Sequence, residues 1–301
     1  MRFDLKKLKN LKNLGSLKNL KQSKYKPKIW IYADMEGINN ITCWEEVNPA
    51  FIQYKKGAEL MTEEVCSAIK GIIKGGTEGI FMNDLHWFYN NISWKKIDKK
   101  VTSCAGSNLN INDFFSKYFD AVFIVGMHAK NETKNSILSH SWYLPSYIKS
   151  LKYNGKFIGE IEMIKFLADE KGVPVIFISG DKAGCEEALE VCPHIATAET
   201  KNIDKDGNIE LLSRKKANKL VYEKAKESIK AFRQNVEDYK IESKVSTIPL
   251  KATFASKEIS DSVEHRCKVL GFDYKKTGVN TIQFDENCFS QILKNFFSVL
   301  D

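Results

Sequence analysis

At 301 residues, with 43% apolar and 11% aromatic side chains, the chain is long enough for one substantial core and a smaller second unit, and its composition excludes a disordered or fibrous protein. The net charge of +8 sits at one end: Arg2 and nine lysines against Asp4 put +9 on residues 1–28 and leave about −1 on everything after them, so no basic nucleic-acid-binding face is expected on the body. No run approaches roughly 18 consecutive apolar residues, so no transmembrane segment is expected, and seven cysteines without a CxxC pair or a secretory signal point to a reduced, cytoplasmic protein.

Residues 1–27 read as a basic N-terminal extension in which Leu5, Leu8, Leu11, Leu14, Leu17 and Leu20 recur at every third position. Each step of three lags a helical turn by about 60°, so the leucines spiral around the axis instead of forming a stripe. A solvated or loosely helical arm is expected; weak attachment to anionic lipid, RNA or a partner is the alternative.

After Pro27, the apolar run Ile29-Trp30-Ile31-Tyr32-Ala33 stops at Asp34. Ala58, Met61, Val65, Ile69 and Ile72 then follow at helical spacing, ended by Gly75-Gly76. Three further apolar runs stop at polar residues: Gly79 to Met82 at Asn83-Asp84-Leu85-His86, Ala121 to Val125 at Gly126-Met127-His128, and Val173 to Ile178 at Ser179-Gly180-Asp181. Between the last two, Asn154-Gly155 marks a β-hairpin turn, and a helix is expected from near Glu160 to Lys171. Short apolar runs alternating with helices predict an α/β fold with a mainly parallel sheet covered by helices on both faces.

Composition shifts near residue 200. Residues 201–207 are polar and turn-rich, and a long amphipathic helix is expected over 213–232. Strands are expected over 247–254 and 281–284, with Asp285 capping a last helix. The expected organisation is the extension at 1–27, an α/β domain at 28–199 carrying the chemistry, and a smaller α/β domain at 200–301.

In open α/β sheets, ligands bind beyond the carboxyl ends of the strands. Here those ends carry Asp34 and Glu36, Asp84 and His86, His128, and Asp181. Residues two apart in an extended segment share a face, so Asp34 and Glu36 repel unless a cation separates them. Carboxylates and imidazoles together suit zinc, and a bridging carboxylate permits two ions about 3.5–4 Å apart. Taken singly, each has a blander reading: Asp34 and Glu36 as a cap or solvated loop, His86 and His128 as satisfied structural histidines. Together they are more informative, because two of only five histidines fall at separate strand ends in register with the acids, and His140 follows within a dozen residues. His194 and His265 have no such company.

Asp34-Met35-Glu36-Gly37, Asn83-Asp84-Leu85-His86, Gly126-Met127-His128, Ser139-His140-Ser141 and Asn154-Gly155-Lys156-Phe157-Ile158-Gly159-Glu160 resemble, in order and spacing, the binuclear zinc D-aminopeptidases of the dipeptide-transport-operon type. The resemblance runs from about Lys28 to the C-terminal helix. It implies two zinc ions per chain bridged by Asp34, with Glu36 and His128 completing one site and His86 and Glu160 the other, and with His140 as the catalytic histidine. It also implies a zinc-dependent aminopeptidase that hydrolyses short peptides with an N-terminal D-amino acid, such as D-Ala-D-Ala, inside a ring-shaped homo-oligomer. Glu162 is the alternative to Glu160, which is chosen because it directly follows Gly159. Asp84 and Asp181 are candidates to anchor the peptide amine. Leu85 stands where the family usually has a small residue, and Thr42-Cys43-Trp44-Glu45-Glu46 is bulkier than expected, so both bear on the pocket wall. The alternatives are a non-catalytic or functionally drifted ring-forming relative and another binuclear metallohydrolase. A phosphoesterase lacks its Asp-x-His and Gly-Asn-His triplets here, and nucleotide binding lacks a GxGxxG or P-loop.

Overall fold

The structure, a computed structural model, describes residues 25–104, 108–243 and 247–300. The leucine-spaced extension, residues 1–24, lies outside them. In chain order the strands are β1 (Lys28–Ala33), β2 (Gly79–Asp84), β3 (Val101–Ser103), β4 (Ala121–Met127), β5 (Ile148–Tyr153), β6 (Lys156–Ile158), β7 (Val175–Asp181), β8 (Ala196–Ile203), β9 (Ile209–Leu211), β10 (Leu250–Phe254), β11 (Tyr274–Lys276) and β12 (Thr281–Phe284). The helices are α1 (Tyr54–Gly75), α2 (Ile111–Ser116), α3 (Glu160–Lys171), α4 (Lys182–Val191), α5 (Arg214–Gln234), α6 (Lys257–Leu270) and α7 (Phe289–Ser298).

The larger sheet has the order β3-β2-β1-β4-β7-β8-β9, parallel throughout except for the β8–β9 pair. Side-chain alternation divides the interior into two cores. Ile29, Ile31, Phe123 and Val125 face one way, under α1 and α5; Trp30, Tyr32, Val122 and Ile124 face the other, against α3 and the second sheet. Strands buried on both faces have no polar side to show, which is why they read as continuous apolar runs. The expected fold class holds.

The second sheet is antiparallel, in the order β11-β12-β10-β5-β6. The sheets do not part at residue 200. β5 and β6 precede that point yet belong to the second sheet, while β8, β9 and α5 build onto the first. Residues 201–203, expected as loop, are strand because Lys201 is buried and its Nζ donates to the carbonyls of Glu36 and Ile41. The last helix also starts later than expected. Cys288 occupies its N-cap, whereas Asp285 accepts from Gln283 and pairs with Lys275 at 3.2 Å.

Local signals account for the elements that stand as expected. Gly76 and Gly172 end α1 and α3 in the left-handed region, at φ 102° and 74°. Asn154 and Gly155, at φ 49° and 72°, form the β5–β6 turn. Ser213 Oγ accepts from the Lys216 amide at the start of α5.

Three glycines draw the strand ends together. β4 breaks register with β7 between Val125 and Met127, and Gly126 sits there at φ 75°. The Met127 carbonyl is thereby pushed between Gly37 and Gly180, where a Cβ on either would lie 2.0 Å from its oxygen. Gly37→Ala is therefore expected to destabilise the fold by about 3 kcal/mol, since neither backbone can yield without moving a strand end. Urea unfolding checks this, and an unchanged midpoint would contradict it.

Candidate metal centre

Parallel strands place their carboxyl ends along one edge, and the turns beyond β1, β2 and β4 carry Asp34 and Glu36, His86, and His128. Glu160 opens α3 and is delivered by the β5–β6 hairpin, while His140 comes from the 128–147 connection. All six side chains are buried. Two groups form, each with its donor atoms within 4.8 Å of one another: Asp34, Glu36 and His86, and His128, His140 and Glu160. Asp34 stands between them, with Oδ1 3.4 Å from His86 Nδ1 and Oδ2 3.6 Å from His128 Nε2.

The donor contacts pair differently from the sites that the resemblance implies. Glu36 Oε2 lies 3.0 Å from His86 Nδ1, and Glu160 Oε1 lies 3.4 Å from His128 Nε2. β1 runs between β2 and β4, so Asp34 meets a histidine on each side; Glu36 then joins the β2 side and Glu160 the β4 side.

Each imidazole is turned by a hydrogen bond on its far nitrogen. His86 Nε2 is 2.7 Å from the Val47 carbonyl, His128 Nδ1 2.8 Å from that of Ala129, and His140 Nδ1 3.0 Å from that of Leu138. A proton on those nitrogens leaves His86 Nδ1, His128 Nε2 and His140 Nε2 as lone-pair donors facing the carboxylates. Asp34 Oδ2, Glu36 Oε2 and His128 Nε2 are buried and make no hydrogen bond among the described residues. Orphaned polar atoms of both kinds at one point are costly unless a cation completes them.

The electrostatics agree. Burial, and then the Glu36 carboxylate, raises Asp34 well above the usual carboxylate range. Burial also opposes ionisation of Glu36 and His86, but their mutual attraction outweighs it, lowering Glu36 and raising His86. Burial pulls His128 down, yet the adjoining Glu160 more than reverses this. His140 moves the other way, lowered by burial and then by His128, whose ring stacks on it at 4.0 Å. With protons alone, three buried acids must share imidazolium partners; divalent cations would replace those protons. The donor set fits two such ions.

The D-aminopeptidase family profile matches residues 28–296. The chain belongs to the D-aminopeptidase family. A D-aminopeptidase of Bacillus subtilis (strain 168) is 27% identical over 199 residues, covering 65% of this chain and 72% of that protein. The solved structure of a Zn-dependent D-aminopeptidase from Bacillus subtilis, described as a self-compartmentalizing protease, superposes with a TM-score of 0.75 at 24% identity. That match covers 91% of this chain and 96% of the other. The α/β architecture and the enzyme class expected from the sequence, a metallo-aminopeptidase, stand with the family.

Within this family member, Glu160 and Glu162 face different ways. Glu162 turns away, accepting from the Gly159 amide at 2.8 Å and from Lys130 Nζ at 3.1 Å. Glu160 Oε1 faces His128 and His140 and accepts from the Trp142 amide. Asp84 and Asp181, the expected amine anchors, do not line the cavity, and their oxygens are already engaged. Asp84 accepts from the amides of His86, Asn91 and Ile92 and from the Asn91 side chain, and Asp181 from the amides of Ile137 and Gly184.

Sequence reasoning missed Lys201, Glu64 and Ser179. The Lys201 ammonium, lowered to about 8 by burial, holds the turn after Glu36 through two carbonyls. Glu64 accepts from the Asn39 amide and the Ser179 hydroxyl, and Ser179 Oγ accepts from the Gly126 amide, tying α1 to the turns that carry the ligands. Only the unusual burial of charge marks these groups, and burial is not visible in a single sequence. Beyond the candidate metal centre lies a cavity of about 520 Å³, with Leu85 and Trp44 in its wall; the Trp44 ring meets His140 edge-on at 5.5 Å.

Proposed function

We propose that this chain is a two-zinc aminopeptidase that removes the N-terminal D-residue from short peptides. The observation that carries the reading is the convergence of five buried donors, three with orphaned atoms, four of which (Asp34, Glu36, His86 and Glu160) line one cavity. Asp34 would be shared by both ions, with Glu36 and His86 holding one and His128 and Glu160 the other. When bound, zinc supplies a water of lowered pKa and polarises the scissile carbonyl.

The remaining work falls to the chain. His140, neutral and with Nδ1 committed to Leu138, turns Nε2 toward Glu160 and the cavity. There it accepts a proton from the attacking water and passes it to the leaving amine, the task of a general acid–base near neutral pH. Burial of the centre excludes bulk water and strengthens each of these interactions.

The relative described as self-compartmentalizing supports a closed homo-oligomer for this chain too, ring-shaped and admitting only short peptides; sedimentation of the full chain tests it. No helix among the described residues is long and apolar enough to cross a membrane. Seven unpaired thiols support a reducing, cytoplasmic location.

Purified protein is expected to hold two zinc ions per chain and to cleave D-Ala-D-Ala but not L-Ala-L-Ala. Zinc retention without turnover of any D-peptide would contradict the reading. Glu160→Gln is expected to lose one zinc, whereas Glu162→Gln keeps both; the reverse result, by elemental analysis, would reassign the ligand.

A further inference from the structure

The cavity above the metal centre is walled by rings: Trp44, Trp87, Phe88, Trp142, Tyr143 and Tyr147. Among the described residues lining it there is no lysine or arginine, and the carboxylates are Asp34, Glu36 and Glu160, all belonging to the centre. Such a wall offers no partner to a charged side chain and a large apolar surface to a neutral one.

Two features show that the rings are held in place. Trp142 stacks on Phe297 at 4.3 Å, and Trp44 is set against His140. Trp87 and Tyr89 occupy the left-handed region, at φ 42° and 58°, which bulky aromatic residues avoid. Their loop is braced on both sides: Asp84 gathers the amides of His86, Asn91 and Ile92, and Asn91 bonds the His86 carbonyl and the Tyr54 hydroxyl. Strain kept by such bracing is a mark of segments that meet a ligand. The product of the bracing is Phe88, 74% exposed, and a half-exposed Trp87, both on the cavity. Leu85, between Asp84 and His86, adds an aliphatic patch to the same wall.

We propose that this cavity receives the N-terminal side chain and selects large apolar residues, aromatic ones foremost, over D-alanine. The proposal rests on the aminopeptidase reading above and names its substrate class. A methyl group would leave the rings facing water, whereas a benzyl or indolyl group covers them, and the pre-set wall loses little entropy in doing so.

The test uses the full zinc-loaded chain with D-phenylalaninamide, D-tryptophanamide and D-alaninamide, following ammonia release. The aromatic amides are expected to show kcat/KM at least about tenfold above D-alaninamide. Trp87→Ala, with two zinc ions retained, is expected to narrow that ratio through KM. Calorimetry with D-phenylalaninol and D-alaninol, which lack a scissile carbonyl, reads the pocket independently of turnover. Tighter binding of D-phenylalaninol without hydrolysis of any amide would uphold the pocket and sink the catalytic reading. Hydrolysis without aromatic preference, with the two alcohols binding alike, would overturn the pocket and leave the catalytic reading standing. A Trp87→Ala protein with altered oligomer mass and an unchanged ratio would assign Trp87 to a subunit contact and overturn its role here.

Discussion

His128→Ala is expected to bind one zinc per chain and to lose activity by at least about 10³-fold. His128 Nε2 faces both Asp34 Oδ2 and Glu160 Oε1, so its removal would take from one ion the imidazole that stands between those two carboxylates. The other ion keeps Glu36 and His86. Elemental analysis beside D-peptide turnover checks both halves, and retention of two ions with full activity would contradict the assignment. The same variant should be less stable to chelation than the parent, because Asp34 and Glu160 then lack a counter-charge when the metal leaves.

His140→Ala is expected to keep both ions while the rate falls about 10²–10⁴-fold, the range for loss of a general acid–base. Its Nε2 is 3.7 Å from Glu160 Oε1, within the donor group but less closely engaged than His128, and it lines the cavity. His128 stays anchored by Ala129 when the stacked ring is removed. A metal-depleted variant would make His140 a ligand. A variant with unimpaired kcat would leave the proton transfer without an agent.

The convergence of the strand-end candidates was legible because a parallel sheet converts strand ends in the sequence into neighbours in space. Asp34, His86 and His128 follow three separate apolar runs, and that alone predicted their convergence. Their grouping was not legible. It depends on strand order, with β1 between β2 and β4, and on the hairpin that brings Glu160 to the β4 side. Pattern also failed where burial and charge coincide. Lys201 looks like a loop residue, yet it lies in the interior of the structure, where its Nζ donates to the carbonyls of Glu36 and Ile41 in the turn after β1. Asp84 and Asp181 illustrate the converse. Acids at the correct edge of a sheet invited a binding role, but both oxygens of each accept from amides of the turns around them. The interleaving of the sheets was equally hidden, since β5 pairs with β6 on one side and, on the other, with β10 almost a hundred residues further on.

The glycines explain why so compact a centre can form. Gly37, Gly126 and Gly180 let three backbones meet around one carbonyl, which sets Asp34 and His128 within bridging distance. Side chains at those points would spread the strand ends and with them the donors.

Zinc-edge anomalous diffraction from crystals of the full chain addresses the central claim most directly. Two peaks about 3.5–4 Å apart are predicted, with Asp34 between them, Glu36 and His86 on one and His128 and Glu160 on the other. A single peak, or two ions that share no carboxylate, would contradict it.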